Sequence, residues 1–120
     1  MNLAFRYFLF MLALVFAFQS KAQTNIFYSQ WLRAGVPELA LKNALAYEEK
    51  SKAITNKEWM MIADYTVPSS EQRLFVINLK TGLLIKTFVA HGRGSDDGHG
   101  NAVRFSNRQD SLQTSPGFLK

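Results

Sequence analysis

The chain has 120 residues, 14 basic and nine acidic side chains, a net charge of +5 and a pI near 9.7, a length that suits one domain. It has no cysteine, which excludes a disulfide framework, a thiolate metal site and a cysteine nucleophile within these residues. Its lysines and arginines are scattered without an arginine-rich stripe or a binding motif, so the charge describes a solvated surface and not a nucleic-acid face.

The chain opens with a positively charged Met1–Arg6, then twelve uncharged, mostly apolar residues, Tyr7–Phe18, then Gln19-Ser20-Lys21-Ala22 with small residues at Ser20 and Ala22. This order predicts a secretory signal peptide, residues 1–22, cleaved between Ala22 and Gln23. The apolar run falls short of the roughly 20 residues that cross a bilayer. Membrane contact is therefore expected to be transient, and the protein to reach the periplasm or cell envelope of a bacterium. Without Arg6 and Lys21 the balance is twelve basic against nine acidic side chains, or +3. An uncleaved N-terminal membrane anchor is the competing reading.

Residues 23–35 form a lead segment, read as a short helical turn carrying Ile26, Phe27, Tyr28, Trp31 and Leu32. Residues 36–120 form the domain. Pro37 suits a first helical position and Glu38 the positive helix end, which predicts a helix over 37–52. Leu41, Ala44, Leu45 and Glu48 share one face there, widened by Leu39, Ala40 and Tyr47. Asn56–Glu58 is a polar break, Trp59–Thr66 reads as a strand, and Val67–Glu71 as a turn. The following stretch organises the domain. Leu74–Leu79 and Leu83–Ala90 flank Lys80-Thr81-Gly82, the pattern of a β-hairpin with strands at about 73–79 and 83–90. Phe75, Ile77 and Leu79 should face a core, and Leu74, Val76 and Asn78 the other way. Gly92–Asn101 is a glycine-rich loop, Ala102–Ser106 a candidate short strand, and Pro116–Lys120 reads as the start of another. The expected fold class is α+β, an N-terminal helix packed on a mainly antiparallel β domain.

The residues give no active site by themselves. Gly92-Arg93-Gly94 follows a strand like a phosphate loop, but Asp97 stands where the dinucleotide pattern needs glycine, and two aspartates would repel phosphate. Asp96, Asp97 and His99 could offer ligands to a cation, yet such a trio in a glycine-rich loop more often only contacts solvent. His91 and His99 are the only histidines, and no Ser-x-x-Lys or Gly-x-Ser-x-Gly pattern supplies either with a nucleophile. Asp64 is expected to be partly buried and to hydrogen-bond at a strand end. No catalytic, cofactor or metal residue is assigned.

Met61–Leu79 (MIADYTVPSSEQRLFVINL), Val89–Ser95 (VAHGRGS), Phe105-Ser106-Asn107 and Ser111 to Ser115-Pro116-Gly117-Phe118 together resemble the opening of the murein L,D-transpeptidase catalytic-domain family. The resemblance runs from about Trp31 onward. It implies an exported, mainly β domain that cross-links or remodels peptidoglycan stem peptides through a cysteine acyl-enzyme, without a cofactor. The family's catalytic His-Gly and Gly-Cys motifs lie downstream of the Gly-Phe block, so Ala90-His91-Gly92 is not the catalytic His-Gly. Acyl transfer through a thiolate needs a cysteine. The expectation is thus a chain truncated before its catalytic motif and inactive as given, with sheet edges left unpaired. The alternative is a non-enzymatic module that binds murein or an envelope partner.

Overall fold

The computed structural model describes residues 2–119, except for the side chains of residues 17–25, so the expected cleavage point at Ala22 and Gln23 lies outside the described residues. Two compact units divide the chain, Met1–Gly35 and Val36–Lys120.

The first unit is one helix, α1 (Leu3–Arg33). Asn2 caps it by accepting from the Ala4 N–H through Oδ1 at 3.3 Å, and Gly35, at φ 97°, follows its end as left-handed glycines commonly do. No proline or glycine occurs between Leu3 and Arg33, so nothing in the sequence breaks the helix. Residues 23–33 therefore continue α1 and do not form a short separate turn. Phe27 and Trp31, one turn apart, set their rings tilted at 35° with centroids 6.0 Å from each other. Among the described residues, no helix is long and apolar enough to cross a membrane.

The second unit begins with α2 (Glu38–Lys50). Pro37 is its N-cap rather than its first helical residue, with extended backbone at ψ 122°, and its carbonyl accepts from the Leu41 N–H at 3.0 Å. Leu41 is fully buried, whereas Leu39 is 71% exposed and lies outside the apolar face. The helix ends two residues earlier than expected. Ser51 turns extended and its hydroxyl accepts from the Ala53 N–H. Lys57 then reaches back to Glu48, pairing with its carboxylate at 3.7 Å and its carbonyl at 3.3 Å.

Three antiparallel strands follow in the order β1 (Trp59–Ala63), β2 (Leu74–Asn78), β3 (Leu84–Thr87). The α+β class thus holds, with a small sheet. Register places Ile62 opposite Phe75 and Met60 opposite Ile77, which in turn faces Leu84. Ile62, Phe75 and Ile77 are buried, as alternation requires of a core face. Lys86 also lies on this face and sets its ammonium 5.2 Å over the Phe75 ring.

Asn78 departs from the expected outward direction. It is 3% exposed, because its side chain builds the hairpin turn: Oδ1 accepts from the N–H groups of Lys80 and Thr81 at 3.0 and 2.8 Å, and Nδ2 donates to Glu58. Gly82 takes φ 78°, as a tight reversal demands of a residue without Cβ.

The strands expected at 59–66, 73–79 and 83–90 are all shorter in the structure. β1 stops before Asp64 and β3 stops after Thr87, since the carbonyls of Val89 and Ala90 serve side chains and not a neighbouring strand. Residues 102–106 and 116–119 form no strand. Only isolated bridges occur there, Asp96 with Ala102 and Phe105 with Thr114.

Candidate functional site

The polar centre of the domain is Arg73, the residue before β2. Its backbone is held on both sides, the N–H donating to Thr87 O at 2.9 Å and the carbonyl accepting from the Asp64 N–H at 2.8 Å. Its side chain is fully buried. Nη1 donates to Val67 O at 2.8 Å, Nε and Nη2 to Val89 O at 3.0 and 2.9 Å, and Nη2 also to His91 Nδ1 at 2.6 Å. The guanidinium carbon lies 4.9 Å from the centroid of the Tyr65 ring, a cation–π distance. The Tyr65 hydroxyl donates to Ala90 O at 3.3 Å. A buried charge is tolerated only when it is hydrogen-bonded and offset, and this one is bonded on every nitrogen.

His91 passes the interaction on. Its Nε2 meets Asp96 Oδ2 at 2.8 Å, and its side chain is 4% exposed. A guanidinium can only donate, so Nδ1 is the acceptor and the ring proton sits on Nε2, donating to Asp96. Arg73, His91 and Asp96 thus form one chain of hydrogen bonds from the start of β2 into the glycine-rich loop. Both ring nitrogens are occupied, so His91 cannot act as a free general base in this arrangement.

The loop is built as tightly as the node that holds it. Arg93–Ser95 is a single 3-10 turn. Ser95 is buried, its hydroxyl accepting from the Thr114 N–H at 2.8 Å and its carbonyl from the Val103 N–H at 2.9 Å. The Gly92 N–H donates to Thr114 Oγ1 at 2.7 Å and the Gly94 N–H to Leu112 O at 2.8 Å. The amides that a phosphate would need are therefore occupied by the chain itself. Asp110 and Leu112 take φ 59° and 58°, strained values for residues other than glycine, where the chain bends to lay residues 111–114 on this loop. Arg104 closes the other side, donating to Gly94 O and Asp96 O.

The remaining candidates play local roles. Asp97 accepts from the backbone of His99 and Asn101 and from Asn101 Nδ2, and Asp96 Oδ1 accepts from the Gly98 N–H. Asp96, Asp97 and His99 are thus not brought together as ligands, and among the described residues no group of three or more His, Cys, Asp or Glu side chains converges. His99 lies exposed. Asp64 is half-buried just past β1 and caps the turn there, accepting from the Thr66 N–H and hydroxyl at 3.0 and 2.6 Å. Sequence reasoning missed Arg73, Tyr65 and Ser95. Each has a partner 16 or more residues away, and the only local hint was an arginine opening an apolar strand.

These hydrogen bonds set the acid response of the loop. Asp97 is lowered from 3.8 to about 2, first by Asn101's side chain and then by the His99 amide. Asp96 is lowered chiefly by the Gly98 amide and next by His91. A carboxylate that titrates lower when folded stabilises the fold above its unfolded value and loses that contribution as pH falls through the folded one. The amides of His99 and Asn101 are thus expected to lose hydrogen-exchange protection between about pH 4 and pH 2. Asp97→Asn should flatten that response, and an unchanged profile in the variant would contradict the assignment.

A family model described as the L,D-transpeptidase catalytic domain matches residues 30–120. Comparison with curated proteins and with solved structures returned no significant match. The family match takes in α2, the whole sheet, the Arg73–His91–Asp96 node and the segment packed on the glycine loop. On that extent of agreement, the chain belongs to the L,D-transpeptidase catalytic-domain family.

Proposed function

We propose that this chain is the non-nucleophilic framework of an exported L,D-transpeptidase-family protein that engages the stem peptides of bacterial peptidoglycan. The family match over residues 30–120 carries this reading, since that family acts on peptidoglycan peptides. The absence of cysteine limits it: the resemblance implies a thiolate nucleophile, and these 120 residues supply none. Neither ring nitrogen of His91 is open to a substrate. Acyl transfer therefore requires a cysteine from outside this sequence, and the chain alone binds without cross-linking. Export rests on the Met1–Ala22 pattern.

The intact mass of the protein recovered from its native envelope fraction tests both parts. A mass equal to Gln23–Lys120 is expected if the signal is cleaved and the short chain is the working form. A substantially larger mass would place a catalytic segment on the same polypeptide and overturn the binding-only reading. Recovery solely from the cytoplasm would overturn export.

A further inference from the structure

We propose that His91 is a proton-operated latch, holding the glycine loop to Arg73 while the ring carries one proton and releasing it when the ring takes a second. The latch follows from the geometry of Arg73, His91 and Asp96 and does not rest on the peptidoglycan reading. Arg73 Nη2 lies 2.6 Å from His91 Nδ1, and a guanidinium does not give up its proton at any accessible pH. The contact therefore exists only while Nδ1 is bare. A second ring proton puts N–H against N–H and one cation against another, and the pair must separate.

The surroundings decide what moves. Three further bonds fix Arg73 to the carbonyls of Val67 and Val89, and its ring partner Tyr65 is tied to Ala90 O. Asp96 bonds the opposite edge of the imidazole at 2.8 Å and is half-exposed. It can follow the charged ring outward. Arg104 grips the Gly94 and Asp96 carbonyls from the other side, so the charged side chains bonded to His91 or to its loop here are Arg73, Asp96 and Arg104. The side that yields is the loop around Gly92–Asp96, which His91 ties to the sheet side, while the far end of the loop keeps its own bond from the Ser69 N–H to Gly100 O at 2.9 Å. Residues 111–114 are bound to that loop through Gly92, Gly94 and Ser95 and should loosen with it.

The test is amide hydrogen exchange on the full chain as the pH is lowered from about 8, corrected for the intrinsic rate, alongside 15N shifts of the His91 ring that show when it gains its second proton. The ring should be protonated on Nε2 alone at the upper end. As it gains its second proton, protection at Gly94, Val103 and Thr114 should fall roughly ten- to hundredfold, the range expected on losing a hydrogen bond to a charged group. His91→Gln can still accept from Arg73 and donate to Asp96 but does not titrate, and should hold protection constant. His99→Gln should behave as wild type. Loop protection that stays level while the His91 ring titrates would overturn the proposal, as would a protonated Nδ1 at the upper end. If His91→Gln does not fold, coincidence or mismatch of the ring titration and the loop opening in the wild type still decides.

Discussion

Replacing Arg73 with methionine is expected to destabilise the domain by about 4 kcal/mol, the largest single-residue effect expected in the domain. Methionine fills much the same space but donates nothing. The carbonyls of Val67 and Val89 and the His91 Nδ1 would then lose their guanidinium donor inside the protein. A buried acceptor without a partner costs about 1–3 kcal/mol. Lysine at the same position keeps the charge but presents a point donor in place of a planar fork, so Arg73→Lys should recover only part of the loss. Urea denaturation of the two variants beside the wild type measures this directly. A cost below about 1 kcal/mol for methionine would mean the node contributes little beyond its packing.

Gly92→Ala comes next, at about 3 kcal/mol. Its backbone is ordinary, with φ −63°, so the need for glycine is one of space. A Cβ there would collide with Leu112 O and stand 2.9 Å from Thr114 N and 3.0 Å from Gln113 C. All three atoms belong to backbone, which cannot rotate away as a side-chain tip can. Residues 112–114 would have to lift off, breaking the bonds from Gly92 to Thr114 and from Thr114 to Ser95. Gly98 is the comparison. It has φ 86°, but nothing lies within 4 Å of the point a Cβ would occupy, so Gly98→Ala should cost only the left-handed backbone term, about 1–2 kcal/mol. The denaturant midpoints of the two variants should fall in that order, and equal midpoints would contradict the close approach as the cause.

Much of the scaffold was legible because its causes are local. Alternation placed Phe75 and Ile77 on the buried face, Gly82 marked the hairpin, and Val36-Pro37-Glu38 marked the start of α2. Errors arose where side-chain bonding or exposure overrode the strand or helix pattern. Residues 88–90 look like strand, yet Arg73 and Tyr65 take their carbonyls. Asn78 looks like an outward polar residue, yet it is buried because the turn needs its oxygen. Leu39 extends an apolar face on a helical wheel and nonetheless stands in solvent. The site was the least legible part. Nothing in the run Gln72-Arg73-Leu74 announces a buried cation, and nothing in Ala90-His91-Gly92 tells whether its imidazole is free or held at both nitrogens. The ordered blocks from Met61 to Phe118 did carry the family, because they depend on the sequence of motifs and not on where side chains point.

The proposed function is engagement of peptidoglycan by a chain whose 120 residues hold no cysteine. Incubating the full chain with isolated peptidoglycan sacculi, then measuring co-sedimentation and the cross-link profile of the digested wall, tests it most directly. The protein should pellet with the sacculi and leave the cross-link profile unchanged. New cross-links made by this cysteine-free chain, or a failure to pellet with the sacculi, would contradict it.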